Sequence, residues 1–234
     1  MPAQDSAPLA CHAILFDLDG TLVDTSQDLW RALNHVVEKR GYPALAHDLV
    51  RDYVGHGARS LIARGFWGKA ATPPQPGVDR DFDAALQEFL DHYAAHLADH
   101  SRPFPGVMET LELLREQGFL LGVVTNKPLH LSISLVEQLA MTHFFATIVG
   151  GGSIPQFKPE PQPLWHALDV MQRSADRAVM VGDSETDILA ARAAACPVVA
   201  VSYGYNGGMS IPDLHPDRMI DHFSQLPTHL VFAP

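Results

Sequence analysis

Four short runs of apolar residues, each ending abruptly in a small or polar residue, do most to limit what this chain can fold into. Ala13-Ile14-Leu15-Phe16 stops at Asp17, and Phe119 to Val124 stops at Thr125-Asn126. Ala178-Val179-Met180-Val181 stops at Gly182-Asp183, and Val198 to Val201 stops at Ser202. None of them alternates with polar residues, and helix-length segments separate most of them. That pattern predicts an α/β fold, with the runs as strands of a parallel sheet covered on both faces. Such sheets bind ligands at the carboxyl ends of their strands. Here those ends collect the carboxylates and hydroxyls.

One stretch breaks the strand–helix rhythm. From Ser26 to Arg102 the chain has helical periodicity and no convincing strand. Thr25 followed by Asp28 resembles a capping signal for a first helix, and Gly41-Tyr42-Pro43 is its stop. A second helix is expected from Ala58 to Phe66. Thr72-Pro73-Pro74-Gln75-Pro76-Gly77 then reads as a turn or loop, and a third helix as Asp81 to His100. Pro103-Phe104-Pro105-Gly106 returns the chain to the sheet. The expected organisation is a core of residues 1–22 and 104–234 carrying an inserted helical cap, 23–103.

Composition narrows the partners. The chain has 16 Lys and Arg against 27 Asp and Glu, a formal net charge of −11. Binding a phosphate backbone needs a basic surface, so nucleic acid is not an expected partner. A phosphorylated small molecule would need a local cation to offset the same charge. Nowhere do about 18 apolar residues run together, so no membrane span is expected. Met1 to His12 lacks the basic cluster and apolar segment of a secretory leader, which makes the cytoplasm the default compartment. Cys11 and Cys196 lie far apart and fit no disulfide or metal framework, so both read as buried thiols. A monomer or homodimer is expected.

The chemistry concentrates in Asp17-Leu18-Asp19-Gly20-Thr21, directly after the first run. Residues two apart on an extended chain project to the same side. Two carboxylates placed so are costly unless a cation or a shared proton relieves them. Gly20 permits a tight turn that turns backbone N–H groups toward an anion. A strand end with a polar turn would explain this stretch alone equally well. Gly182-Asp183-Ser184 with Asp187 adds a second acidic strand end. A hard divalent ion such as Mg2+ takes oxygen ligands and keeps several waters. Asp17 and Asp183 can supply carboxylates to it and Asp19 a backbone carbonyl. Thr125 adds a hydroxyl. Lys158, stiffened by Pro159 and Pro161, adds the positive charge a phosphate needs; on its own it would read as a solvated lysine.

This constellation resembles the haloacid dehalogenase superfamily, whose four motifs are present in order across residues 12 to 225. They are Asp17 to Thr21, the strand ending at Thr125-Asn126, Lys158 with its prolines, and Gly182 to Asp187. The resemblance implies a Rossmann-like core, a helical cap inserted after the first motif, and Mg2+ as cofactor. It also implies a reaction class. Dehalogenases of this superfamily lack the second aspartate, whereas phosphatases and phosphomutases have it, because an alkoxide leaving group must be protonated. On that reading Asp17 attacks phosphorus to give an aspartyl-phosphate and Asp19 protonates the leaving oxygen. Thr125, Lys158 and the backbone around Gly20 and Thr21 stabilise the phosphoryl oxygens, with Asn126 beside them. Asp187 and Ser184 orient Asp183 or the metal's waters.

The cap must select the leaving group. Phe16 to Thr25 and Val54-Gly55-His56-Gly57-Ala58-Arg59 resemble the matching stretches of bacterial phosphoglycolate phosphatases, which implies 2-phosphoglycolate as substrate. Gly55, His56, Gly57 and Arg59 are then the substrate-binding candidates: backbone N–H groups for a carboxylate, and Arg59 to pair with it. A plain surface role for Arg59 is the competing reading. A sugar-phosphate phosphatase, a β-phosphoglucomutase-like phosphomutase and a non-enzymatic phospho-ligand sensor are the alternatives. His92, His96 and His100 share one helix face at a spacing that can chelate zinc. No carboxylate or cysteine nearby in sequence completes such a site, so they read as surface residues. Phe82, Leu86, Phe89 and Tyr93 form a packing stripe on the same helix. Tyr203 to Gly208 reads as a turn-rich loop near the edge of the site.

Overall fold

The four apolar runs become the centre of a six-stranded parallel sheet in the computed structural model, which describes residues 7–233. Residues 1–6 and 234 of the expected core, and the first half of the Met1–His12 stretch, lie outside the described residues. In chain order the strands are β1 (Leu9–Cys11), β2 (Ala13–Phe16), β3 (Val23–Asp24), β4 (Arg102–Pro103) and β5 (Leu120–Pro128). They continue as β6 (Thr147–Gly151), β7 (Ala178–Gly182), β8 (Val198–Val201), β9 (Arg218–Ile220) and β10 (Leu230–Phe232). The sheet order is β6-β5-β2-β7-β8-β9. Strand order reverses at β2, the switch point where doubly wound sheets open a crevice for ligands. Asp17 is the first residue beyond that strand.

Non-alternating runs suit this sheet because each strand feeds two cores. In β2, Ile14 and Phe16 pack with Val123, Val179 and Val181 on one face, while Ala13 and Leu15 pack with Met180 and Val198 on the other. The first face is covered by α5 (Val107–Glu116) and α6 (Leu129–Gln138), the second by α7 (Gln162–Met171) and α8 (Glu185–Ala193). Every β2 side chain is buried. Each such large apolar residue stabilises the fold by roughly 1.5–3 kcal/mol, so a polar residue within β2 would be costly on either face.

The insert between β3 and β4 holds four helices: α1 (Ser26–Lys39), α2 (His47–Arg51), α3 (Gly57–Trp67) and α4 (Arg80–Ala95). Leu29, Leu33, Val36 and Val37 give α1 an apolar stripe at helical spacing. The stripe expected on α4 packs as Phe82, Phe89 and Tyr93, all buried, with Leu86 half-buried. Gly65 lets α3 approach α1, since a Cβ there would lie 2.7 Å from Leu33 Cδ1. No helix among the described residues is long and apolar enough to cross a membrane.

Several expectations are corrected. The two passages between core and insert are strands, β3 and β4, paired antiparallel with Asp24 opposite Arg102. The short helix α2 and the strands β6 and β9 carried no strong periodic signal. Strand β5 does not stop at Thr125-Asn126. It continues to Pro128 through an irregularity: Val124 pairs with Val149 and Pro128 with Gly151, so Thr125, Asn126 and Lys127 face Gly150 alone. Helix α4 ends at Ala95 rather than His100, so His100 leaves the expected face, while the His92 and His96 rings stay together at 4.7 Å. His92 stacks on His35, His96 Nδ1 lies 2.8 Å from Asp99, and His100 Nδ1 lies 2.9 Å from Asp28.

The expected cap at Thr25 is absent because its hydroxyl donates to Asp19 and Asp28 turns elsewhere. Thr25 occupies the position but its side chain makes no capping hydrogen bond. Asp28, instead of reaching back, accepts from the backbone N–H groups of His100 and Ser101 and from Ser101 Oγ at 2.7 Å. It thereby ties the start of α1 to the end of the insert. Burial alone would raise its pKa, but the donors from Ser101 and His100 outweigh burial and hold it below the ordinary value. A depressed folded-state pKa gives stability that is present above the ordinary carboxyl value and is lost as pH falls through the folded one. Asp28→Asn is therefore expected to lower unfolding free energy by about 2–3 kcal/mol at pH 7. Urea unfolding followed from pH 7 downward should show the difference closing below about pH 4. A constant difference would mean that the charge of Asp28 is not what holds the junction.

Candidate active site

Lysine 158 is the point where the strand ends meet. Its ammonium lies 3.0 Å from Asp17 Oδ1 beyond β2 and 2.6 Å from Asp187 Oδ1 in α8. It also donates to the Val124 carbonyl of β5 at 2.7 Å, which occupies all three of its N–H groups. The side chain is 1% exposed. Burial works against an ammonium, but Asp17 and Asp187 outweigh it and hold the Lys158 pKa above the ordinary lysine value.

The lysine is placed by Asn126. Its side-chain oxygen accepts from Lys158 N–H at 2.9 Å, and its amide donates to the Lys158 carbonyl at 2.9 Å and to the Gly55 carbonyl at 3.0 Å. Asn126, expected against substrate, lines the cavity and also joins the lysine loop to the residues leading into α3. The bulge in β5 makes this possible, because its two extra residues re-aim side chains that a regular strand would alternate. Gly150 is required opposite it: a Cβ there would meet the Lys127 carbonyl at 2.9 Å.

The Asp17 carboxylate accepts from Leu18 N–H at 2.7 Å as well as from Lys158, which fixes its orientation. Asp183, just beyond β7, accepts from Thr21 Oγ1 at 2.6 Å and Tyr205 N–H at 2.6 Å. The loop from Tyr203 to Gly208 thus secures an acidic residue, a part its sequence did not reveal. Gly20 has φ +90°, and a Cβ there would lie 2.4 Å from Asp183 Oδ2, so only glycine fits this turn. Asp187 accepts from Ser184 N–H, Ser184 Oγ and Asp183 N–H while capping α8, and its Oδ1 faces Lys158.

The carboxylate oxygens of Asp17, Asp183 and Asp187 come within 4.8 Å of one another, all three residues buried. One ammonium cannot balance three such carboxylates. Burial, reinforced by the neighbouring carboxylates, pushes the Asp17 pKa up to about 6 and that of Asp183 well above the ordinary value. A divalent cation is the group whose charge and oxygen preference suit this excess. The Asp19 side chain takes no part in the cluster. It accepts from Thr25 Oγ1 at 2.7 Å and pairs with Lys127 Nζ at 3.1 Å.

Asp17, Asp19, Thr125, Asn126, Gly55 and Gly57 line one cavity, together with Lys127, Tyr93 and an apolar wall from the insert. His56 and Arg59 line an adjoining one. Arg59 spans Asp83 at 2.8 Å and the Pro74 carbonyl at 2.7 Å within the insert, so the structure does not bring it to Asp17. Lys127 is the residue that reading the sequence passed over. A lysine two residues beyond a strand end resembles any surface lysine, and only the bulge turns it inward.

The family model for haloacid dehalogenase-like hydrolases matches residues 14–201. The phosphoglycolate phosphatase of Agrobacterium fabrum is 40% identical over 94% of this chain and 92% of its own length. That of Mesorhizobium japonicum is 40% identical, over 93% of each chain. The crystal structure of a predicted phosphoglycolate phosphatase from Haemophilus somnus superposes with a TM-score of 0.85 at 33% identity, covering 93% of this chain and 97% of that one. The chain belongs to the haloacid dehalogenase-like hydrolases.

A carboxyl whose pKa is raised on folding favours the fold while protonated and loses that contribution as pH rises through the folded value. For Asp17 the window runs from the ordinary value, about 4, to about 6. In a chelator, Asp17→Asn should therefore gain stability relative to the wild type as pH rises from 4 to 7, read as a growing difference in unfolding midpoint. A difference independent of pH would show that the Asp17 charge is already balanced.

Proposed function

We propose that the protein is a Mg2+-dependent phosphatase of small phosphomonoesters, with 2-phosphoglycolate as its substrate and glycolate and phosphate as products. The observation that carries this reading is the pairing of two aspartates in one cavity with different environments. Asp17 is held rigidly against Lys158, and Asp19 stands apart from the buried acidic cluster on Lys127 and Thr25. A nucleophile and a separate proton carrier require that division of labour. Membership of the hydrolase family and the similarity to phosphoglycolate phosphatases support it.

In the proposed reaction an Asp17 oxygen attacks phosphorus in line, the bond to the ester oxygen breaks, and Asp19 gives its proton to the departing alkoxide. Water then attacks the aspartyl-phosphate, losing its proton to Asp19 and releasing phosphate and the Asp17 carboxylate. Lys158 sits beside Asp17 and Thr125 lines the same cavity, where they steady the charge on the phosphoryl oxygens. The Asp17 and Asp183 carboxylates with the Asp19 carbonyl would hold Mg2+, which when bound shields the approaching anions from each other. Asp187 and Ser184 position Asp183 and Lys158 rather than meeting substrate. Residues 23–103 serve as the cap, contributing Gly55 and Gly57 to the cavity; no substrate contact is assigned to His56 or Arg59.

A phosphate-release screen tests this. 2-Phosphoglycolate is expected to give a kcat/KM at least about tenfold above hexose and pentose phosphates, with activity lost in chelator. Asp17→Asn should lose at least about 1,000-fold while remaining folded. Asp19→Asn should slow alkyl phosphates more than aryl phosphates, whose leaving groups need no proton. Isomerisation of a sugar phosphate without phosphate release, or appreciable turnover by Asp17→Asn, would overturn the proposal.

A further inference from the structure

We infer that Lys127 recognises the carboxylate of the substrate, accepting it in place of Asp19. This rests on the reading of the site as a phosphatase of small carboxylated esters. The Lys127 side chain is 2% exposed. Its ammonium contacts Asp19 and donates to Tyr93 Oη at 2.5 Å, and it also lies 4.3 Å from the centre of the Tyr93 ring. One wall of the cavity is apolar, formed by Leu29, Leu61, Phe89, Leu90 and Leu131, while Asp17, Thr125 and Asn126 line the rest.

The other cations nearby are committed. Lys158 has all three donors occupied within the acidic cluster. Arg59 is bound to Asp83 and Pro74, and Arg64 and Lys69, which donate to the Tyr53 and Gly207 carbonyls, line a separate cavity beside Ser184 and Tyr205. Among the described residues lining the cavity, Lys127 is the one cation.

Among the described residues Asp19 is the anion its ammonium contacts, and Asp19 is also the group required, carrying a proton, at the leaving oxygen. When Asp19 takes up a proton and turns to that oxygen, buried Lys127 loses the carboxylate it contacts and keeps only the weaker pull of Asp17 and Asp28, a costly state. A carboxylate on the leaving group fills the vacancy; a neutral leaving group does not. Selection of this kind is strong because the analogue lacking the charge leaves a buried ion unpaired. Lys127 is then the specificity-determining residue, and the preference for a carboxylated ester arises from the exchange of one ion pair for another.

The test compares 2-phosphoglycolate with 2-hydroxyethyl phosphate, in which a hydroxymethyl group replaces the carboxylate. Lys127→Met should lower kcat/KM for 2-phosphoglycolate by about 100-fold, mainly through KM. For 2-hydroxyethyl phosphate the change should stay within about fivefold. A parallel loss on both esters would overturn the inference, because Lys127 would then act only through Asp19. Equal wild-type activity on the two esters would also overturn it. Wild-type inactivity on both would instead remove the phosphatase reading beneath it. The structure of Asp17→Asn soaked with 2-phosphoglycolate decides the matter even if Lys127→Met does not fold. The substrate carboxylate should lie within hydrogen-bond distance of Lys127 Nζ; a carboxylate seated on the Gly55–Gly57 backbone would refute the assignment.

Discussion

A single buried ammonium organises the core of this protein. Lys158 takes a carboxylate from beyond β2, another from α8 and a carbonyl from β5, so three segments far apart in sequence are fixed by one side chain. Its charge still falls short of the acidic groups around it. Removing Lys158 would leave Asp17 and Asp187 unpaired in a dry environment, the kind of change that usually costs several kcal/mol. The unmet negative charge is a property of the fold itself, and it suits the site to a divalent ion and a phosphoryl group.

The second aspartate sits in a different electrostatic setting, and a defect in the sheet creates that setting. Three residues of β5 face one of β6, and the bulge sends Asn126 to the Lys158 backbone while Lys127 reaches Asp19 and Tyr93. Asn126 also touches the Gly55 carbonyl, and Asp19 touches Thr25 at the entrance to α1. Both contacts join core to insert, so any shift of the helical insert would be felt at the acid and at the lysine loop together. Tyr205 adds a third tie, accepting from the Thr25 and Ser26 N–H groups through its hydroxyl while its own N–H holds Asp183.

Much of this was legible in the sequence where one residue type has one physical use. Unbroken apolar runs gave the central strands, because a strand buried on both faces tolerates little else. Carboxylates at their ends marked the site, because nothing in the packing of a strand calls for an aspartate there. Features that depend on contacts between distant segments were not legible. The bulge follows from Gly150 opposite Thr125 to Lys127, and nothing in the Thr-Asn-Lys-Pro stretch announces it. Arg59 looked available for substrate because its partners, Asp83 and the Pro74 carbonyl, lie well along the chain. The histidine row lost its third member because Asp28, from the far side of the insert, holds His100 away from His92 and His96.

The most direct measurement is a crystal structure of the protein grown with Mg2+ and beryllium trifluoride, a mimic of a phosphoryl group on a carboxylate. Beryllium should be joined to the Asp17 side chain beside Lys158, with the cation between Asp17 and Asp183. A fluoride complex bound to any other residue, or a cation seated away from the Asp17–Asp183 pair, would contradict the proposed chemistry.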